Sequence, residues 1–189
     1  MIRVAVIGDI GSGKSYVAKL FGYPVFNADL EVAKIYNTNR GCFKKLKKKL
    51  PKYFFSFPVK KSEIINAIMA NQTNIKKITN IIHPEIRKKM NIFLKTNKKK
   101  RAVILDVPLF LENSLNNKGD VLIFIQSKKT EILKRLKKRK SFSLNLLNRF
   151  KKIQLSTIHK KKKAQFVIKN DFTSKSVKKS INKILKELL

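Results

Sequence analysis

Eight consecutive residues have the types and spacing to work on a phosphate. Gly8, Asp9, Ile10, Gly11, Ser12, Gly13, Lys14 and Ser15 follow the order glycine, any four residues, glycine, lysine, then serine or threonine. Each type has a task. Glycines let the backbone turn so that successive N–H groups face phosphate oxygens. Lys14 has the reach for β- and γ-phosphates, and the Ser15 hydroxyl suits Mg²⁺. The pattern implies a nucleoside triphosphate and leaves the acceptor open. Three acids are further candidates. Asp29 follows a short apolar segment and has two readings, a base for a substrate hydroxyl or a cap on the next helix. Asp106 closes another apolar run, where it suits Mg²⁺, directly or through water, and Glu112 lies on the loop beyond it. His83 and Arg87 suit a phosphate or an acceptor, although a histidine before a proline also serves structure. Arg135, Arg139 and Arg149 fall close together in a chain with seven arginines, and guanidinium forks hold phosphate oxygens as lysine cannot.

The elements that must position these groups alternate in type. Apolar runs at 2–7, 24–26, 102–105, 121–125 and 165–168 predict five strands. Helical periodicity is expected after Ser15 and after Asp29, then over 41–50, 60–70, 74–94, 128–140, 144–154 and 174–188. His83-Pro84 is expected to interrupt the 74–94 helix, because proline disfavours helix at the residue before it. Tyr53 to Phe57 fits no regular element and reads as core packing or the wall of an apolar groove. Asn117-Lys118-Gly119-Asp120 has the letters of a guanine-reading tetrad but precedes a strand instead of following one, so it reads as a turn. An arginine-bearing helical hairpin after the fourth strand suits a lid that closes over triphosphate.

Composition narrows the class. A chain of 189 residues fits one domain burying roughly 70% of its unfolded surface. The lone Cys42 excludes a disulfide framework and a multi-cysteine metal site. Met1 leads straight into a strand and no apolar run nears ~18 residues, so neither a signal peptide nor a membrane span is expected, and a cytoplasmic setting is. The net charge of +34 is extreme. It can serve a polyanion, but the accompanying asparagine and isoleucine suggest drift under AT-rich coding, with only salt-sensitive, non-specific attraction to nucleic acid.

With these residues in view, the chain resembles the dephospho-coenzyme A kinase family nearly end to end. That family carries Gly-Gly-Ile-Gly-Ser-Gly-Lys-Ser/Thr, Asp-Ala-Asp, His-Pro-x-Ile-Arg, a Val-Pro-Leu-Leu-Phe-Glu-Asn-like run, and a lid with an Arg-Asp pair, then Arg with Gln five residues on. Here stand Gly8 to Ser15, Asn27-Ala28-Asp29, His83-Pro84-Glu85-Ile86-Arg87, Val107-Pro108-Leu109-Phe110-Leu111-Glu112-Asn113, Arg139-Lys140, Arg149 and Gln154, with a final Val167-Ile168-Lys169-Asn170-Asp171 also similar. The departures are Asp9 for glycine, Tyr16 for a small hydroxyl residue, Asn27 for aspartate and Lys140 for aspartate. Asp9 is expected to repel phosphate unless its carboxylate points away.

The resemblance implies an α/β fold, a P-loop NTPase of three layers with a five-stranded parallel sheet. It implies a single domain with its core near 1–36, 98–138 and 164–189, an acceptor lobe near 37–97 and a lid near 139–163. It implies ATP and Mg²⁺ as cofactors, dephospho-CoA as substrate, no specific nucleic acid, no membrane, and a monomer or weak homo-oligomer. Asp29, Lys14 and Arg139 would be catalytic. ATP would meet Gly8, Gly11, Ser12, Gly13, Lys14, Ser15 and Tyr16 on the loop, and Arg139 and Arg149 on the lid. The acceptor would meet Asp29, His83, Arg87, Pro108, Leu109 and Glu112, and Mg²⁺ would meet Ser15 and Asp106. Two alternatives remain at this stage: a kinase of another small acceptor such as a nucleoside monophosphate, or a basic nucleic-acid-binding protein on a nucleotide fold.

Overall fold

The computed structural model describes residues 1–138 and 142–189. Five strands, β1 (Ile2–Gly8), β2 (Val25–Asn27), β3 (Ala102–Asp106), β4 (Val121–Gln126) and β5 (Phe166–Lys169), form one parallel sheet in the order β2-β3-β1-β4-β5. All five expected strands are present. Their sequences are continuous apolar runs because helices cover both faces of the sheet. On one face Val4, Val6, Ile104, Ile123, Ile125 and Ile168 pack with Val17, Ala18 and Phe21 of α1 (Lys14–Leu20) and Val177, Ile181 and Ile184 of α9 (Ser174–Leu188).

The strand order decides where chemistry can occur. β1 lies in the middle, paired with β3 on one side and β4 on the other. Its chain leaves toward α1 at the point where its neighbours' connections diverge, which is where open α/β sheets form their ligand crevices. The carboxyl ends of three adjacent strands thus deliver Gly8, Asp106 and Gln126 to the same edge.

Contacts divide the chain into two compact units. One comprises Met1–Asn27, Leu94–Phe142 and Lys151–Leu189. It holds the sheet, α1, α6 (Lys129–Lys137), α8 (Thr157–Lys163) and α9. The other comprises Ala28–Phe93 and Ser143–Phe150. It holds α2 (Ala28–Thr38), α3 (Arg40–Lys49), α4 (Lys61–Ala70), most of α5 (Thr73–Thr96) and most of α7 (Leu144–Lys152). The expected lid is therefore shared between the units, and α2, expected with the core, belongs to the helical unit.

Three local expectations change. The interruption at His83-Pro84 is absent: α5 runs through Pro84 for 24 residues. Pro84 leaves the Asn80 carbonyl without its helical donor. The apolar row Ile78, Ile82, Ile86 and Met90 is buried on both sides of the proline and holds the helix together. The Tyr53–Phe57 stretch divides its roles: Phe54 is fully buried, Phe55 is exposed, and the Phe57 ring lies 5.6 Å from that of Phe43. The third change is α8, which was not expected. Its Thr-Ile-His-Lys-Lys-Lys-Lys sequence has no apolar period, but Ser156 caps it by accepting a hydrogen bond from the His159 N–H at 3.2 Å. The Asn117–Asp120 turn is confirmed as structural. Asp120 accepts from its own turn at the Asn117 N–H and lies 2.9 Å from Arg3 Nε, tying the start of β4 to β1.

Candidate active site

The phosphate loop is held from outside by its own carbonyls. The Ser12 carbonyl accepts from Asn170 Nδ2 and from Ser127 Oγ, both at 2.9 Å. Asn170 is itself fixed: its N–H donates to the Gln126 carbonyl at 2.8 Å, and its Oδ1 accepts from the Phe172 N–H at 2.9 Å. Loops that follow β4 and β5 thereby set the shape of the loop that follows β1. The glycines are required by close approach. A Cβ on Gly8 would lie 2.7 Å from the Ile125 carbonyl oxygen, and one on Gly13, where φ is +87°, would lie 2.4 Å from Asn170 Nδ2.

Lys14 Nζ donates to the carbonyls of Gly8 at 3.2 Å and Asp9 at 2.9 Å, so its ammonium is already over the loop. The Ser15 hydroxyl hydrogen-bonds to Asp106 at the end of β3, and Asn27 Nδ2, at the end of β2, donates to Asp106 Oδ2 at 2.5 Å. Asp106 is 3% exposed, and this burial raises its carboxyl above the ordinary aspartate range. The Ser15 bond, the Lys14 charge and the Asn27 bond oppose that rise. A hydroxyl and a carboxylate brought together in this way are a hard-oxygen donor pair suited to Mg²⁺. The Ser12 hydroxyl is buried within the loop without a hydrogen-bond partner among the described residues.

A narrow cleft opens beside the loop, lined by Ile7, Gly8, Lys14, Val107, Leu109, Phe110, Leu111, Glu112 and Lys160. Leu109 has φ +57°, a left-handed conformation that leucine adopts only under constraint. Two expected acceptor residues, Leu109 and Glu112, thus reach the cleft that holds Lys14, with Pro108 just before them in the chain. Glu112 Oε1 accepts from the Leu155 N–H at 2.9 Å and lies 3.3 Å from Lys160 Nζ.

Asp9 does not face phosphate unopposed. Its Oδ2 accepts from Thr157 Oγ1 at 2.9 Å, and its Oδ1 lies 3.8 Å from Lys160 Nζ. Sequence reading missed Lys160, Thr157, Ser127 and the Asn27–Asp106 bond. Lys160 begins a run of four lysines, and nothing in such a run distinguishes its first member.

In the helical unit, Asp29 is the second residue of α2, which starts directly where β2 ends. It lies inside the first turn, past the position a cap would occupy, so the capping role gives way. His83 and Arg87 are one turn apart on α5. Burial, then the Arg87 charge, lowers the His83 pKa and keeps the imidazole neutral over more of the pH range. Of the arginines, Arg149 Nη2 donates to the Met69 carbonyl at 2.8 Å, at the end of α4. Arg135 stacks 4.2 Å from the centre of the Phe172 ring, in the sheet-bearing unit. The two therefore serve separate contacts. Arg139 lies outside the described residues.

A phosphate loop on a central strand, a buried aspartate on the neighbouring strand and a parallel sheet in this order define a P-loop kinase fold. Solved structures agree. The dephospho-CoA kinase from Campylobacter jejuni is 24% identical with a TM-score of 0.62, covering 98% of this chain and 96% of its own. TT1252 from Thermus thermophilus is 23% identical with a TM-score of 0.80, covering 100% and 98%.

The chain belongs to the dephospho-CoA kinase family, whose model matches residues 2–176. It is 26% identical to the dephospho-CoA kinase of Bacillus thuringiensis subsp. konkukian, covering 98% of this chain and 96% of that one. To the dephospho-CoA kinase of Wolbachia sp. subsp. Brugia malayi it is 28% identical, over 70% and 71% of the two chains.

Proposed function

We propose that this chain transfers the γ-phosphoryl group of ATP to the ribose 3′-hydroxyl of dephospho-CoA, giving CoA and ADP. The observation that carries this reading is the convergence of Lys14, Ser15 and Asp106 at one edge of the sheet, in a chain of this family. Asp29 orients the ribose hydroxyl and accepts its proton as the oxygen attacks the γ-phosphorus. The bond from that phosphorus to the β-γ bridging oxygen breaks, and ADP leaves with the electron pair. Lys14 stays with the β- and γ-phosphates and neutralises charge as the phosphoryl group moves. Arg139 and Arg149 are assigned, on the family's motifs, as guanidinium partners of the triphosphate.

Ser15 and Asp106 would hold Mg²⁺, which when bound supplies charge neutralisation across the β- and γ-phosphates. The raised Asp106 carboxyl supports this assignment, because a cation there relieves the cost that burial imposes on the ionised form. His83 and Arg87 of the helical unit, and Leu109 and Glu112 of the sheet-bearing unit, are each assigned to the acceptor on the family's motifs. Most of the acceleration comes from positioning and electrostatics, since phosphoryl transfer leaves little covalent work to the protein. Among the described residues no helix is long and apolar enough to cross a membrane.

The test is ADP release from ATP and Mg²⁺ with dephospho-CoA as acceptor. Acceptor-dependent turnover is the expected result. Turnover with AMP and none with dephospho-CoA would overturn the choice of acceptor and leave the kinase standing.

A further inference from the structure

Lys160 is a buried cation that the reaction as written does not use. Its side chain is 3% exposed, yet it belongs to an exposed run of lysines on α8. Lysine is almost never fully buried unless paired, and here the pairing is double: Glu112 Oε1 at 3.3 Å and Asp9 Oδ1 at 3.8 Å. Its neighbour one turn earlier, Thr157, holds the other oxygen of Asp9. Glu112 is fixed in turn by the Leu155 N–H, so three points of the 155–160 segment grip two acids, Asp9 of the phosphate loop and Glu112 of the cleft beside it. That cleft is lined by Lys14 and Lys160 together.

The arrangement answers a difficulty internal to this chain. Asp9 places a carboxylate inside a loop whose work is to receive polyphosphate. A like charge near bound phosphate opposes binding unless a cation cancels it at close range. We propose that Lys160 is a positioning residue for ATP. It cancels the charge of Asp9 and, with Thr157, fixes that carboxylate on the α8 side of the loop. The inference rests on the proposed ATP-dependent reading for its ligand and on the contacts of Lys160 and Thr157 for its geometry. Lys160 works through Asp9 and Glu112, while Lys14 meets the phosphates.

A four-protein cycle tests this: wild type, Lys160→Met, Asp9→Gly and the double variant. The readouts are the Kd of Mg·ATP by calorimetry, without acceptor, and KM and kcat with dephospho-CoA. Lys160→Met should weaken ATP binding about tenfold, because it leaves two carboxylates uncompensated at the cleft. At saturating ATP its kcat should stay within about threefold of wild type, since the chemical step retains Lys14. Asp9→Gly alone should tighten ATP binding about threefold by removing the negative charge. In the double variant most of the Lys160→Met loss should disappear, and Lys160→Arg should restore binding in the Asp9 background. An equal loss from Lys160→Met with and without Asp9 would overturn the proposal, and so would no loss in either background.

If burial makes Lys160→Met unable to fold, Asp9→Gly decides alone: weaker ATP binding in that variant sinks the idea. Failure of the kinase reading looks different. Wild type would then show no acceptor-dependent ADP release, while the binding cycle keeps its pattern.

Discussion

In the sheet-bearing unit the reactive groups stand on backbone that has almost no freedom to be elsewhere. Lys14 and Ser15 follow a loop whose Ser12 carbonyl is tied by Asn170 and Ser127, and Asp106 is the last residue of a fully buried strand. In the helical unit Asp29, His83 and Arg87 ride on amphipathic helices, whose burial pattern fixes a face but not the identity of the exposed side chains. The first arrangement ties function to stability, and the second lets them separate. Substitutions in the loop should therefore disturb both, and those on the helical unit's exposed positions should disturb turnover alone.

The largest effect is expected at Lys14. Lys14→Ala removes the cation proposed to meet the moving phosphoryl group and should lower kcat by on the order of 10³-fold. Measured beside an exposed lysine such as Lys98→Ala, it separates local chemistry from the overall charge of +34. Near-normal turnover in Lys14→Ala would remove the basis for the proposed reaction.

Asp29→Asn comes next. It keeps shape and hydrogen bonding but loses the proposed proton acceptor, so kcat should fall by roughly 10²-fold. Because Asp29 is an exposed first-turn residue, the melting temperature should hardly change. A large loss of stability with a small loss of turnover would return Asp29 to a structural role.

What could be read in advance follows the same division. Close backbone approach restricts residue type, so Gly8, Gly13 and the lysine after them announce themselves by spacing. Continuous apolar runs announced all five strands, because both faces of the sheet are buried. The contacts that complete the site join residues far apart in sequence: Ser127 and Asn170 to Ser12, Asn27 to Asp106, Thr157 and Lys160 to Asp9. Lysine abundance hid the most informative of them. An ammonium in a run of four becomes distinctive only when burial removes it from water. Pro84 misled for a related reason, since a local backbone preference was outweighed by the buried row of α5.

A smaller effect, on stability, sharpens the contrast between tight and open backbone. Gly13 and Gly22 both have positive φ, +87° and +74°. A Cβ at Gly13 meets Asn170 Nδ2 at 2.4 Å and the Phe172 ring at 3.1 Å, whereas one at Gly22 meets nothing within 4 Å. Gly22→Ala should cost about 1 kcal/mol, the backbone term alone. Gly13→Ala should cost that plus displacement of Asn170, on the order of 3 kcal/mol in total. At about 2–4 °C per kcal/mol for a chain of this size, thermal melts resolve the difference. Equal costs at the two sites would mean that Asn170 yields freely and does not brace the loop.

The smallest effect lies at the start of α9, where Asp171 is fully exposed and yet strongly held. Its Oδ1 accepts from Ser176 Oγ at 2.6 Å, from the Thr173 N–H at 2.9 Å and from Thr173 Oγ1 at 2.8 Å. These bonds, the Ser176 one foremost, lower its pKa to about 2. A carboxyl whose folded pKa lies below its unfolded value stabilises the fold above the unfolded pKa, and that contribution disappears as pH falls through the folded one. The wild-type advantage over Asp171→Ala should therefore be full above about pH 4 and vanish as pH falls toward 2. Exposure makes the advantage small, and 0.5 M salt should reduce its charge-dependent part. Paired melts from pH 6 to pH 2 would show it as a difference between two curves, which cancels the general acid loss of so basic a chain. A constant difference across that range would mean that Asp171 acts through its hydrogen-bonding shape and not its charge.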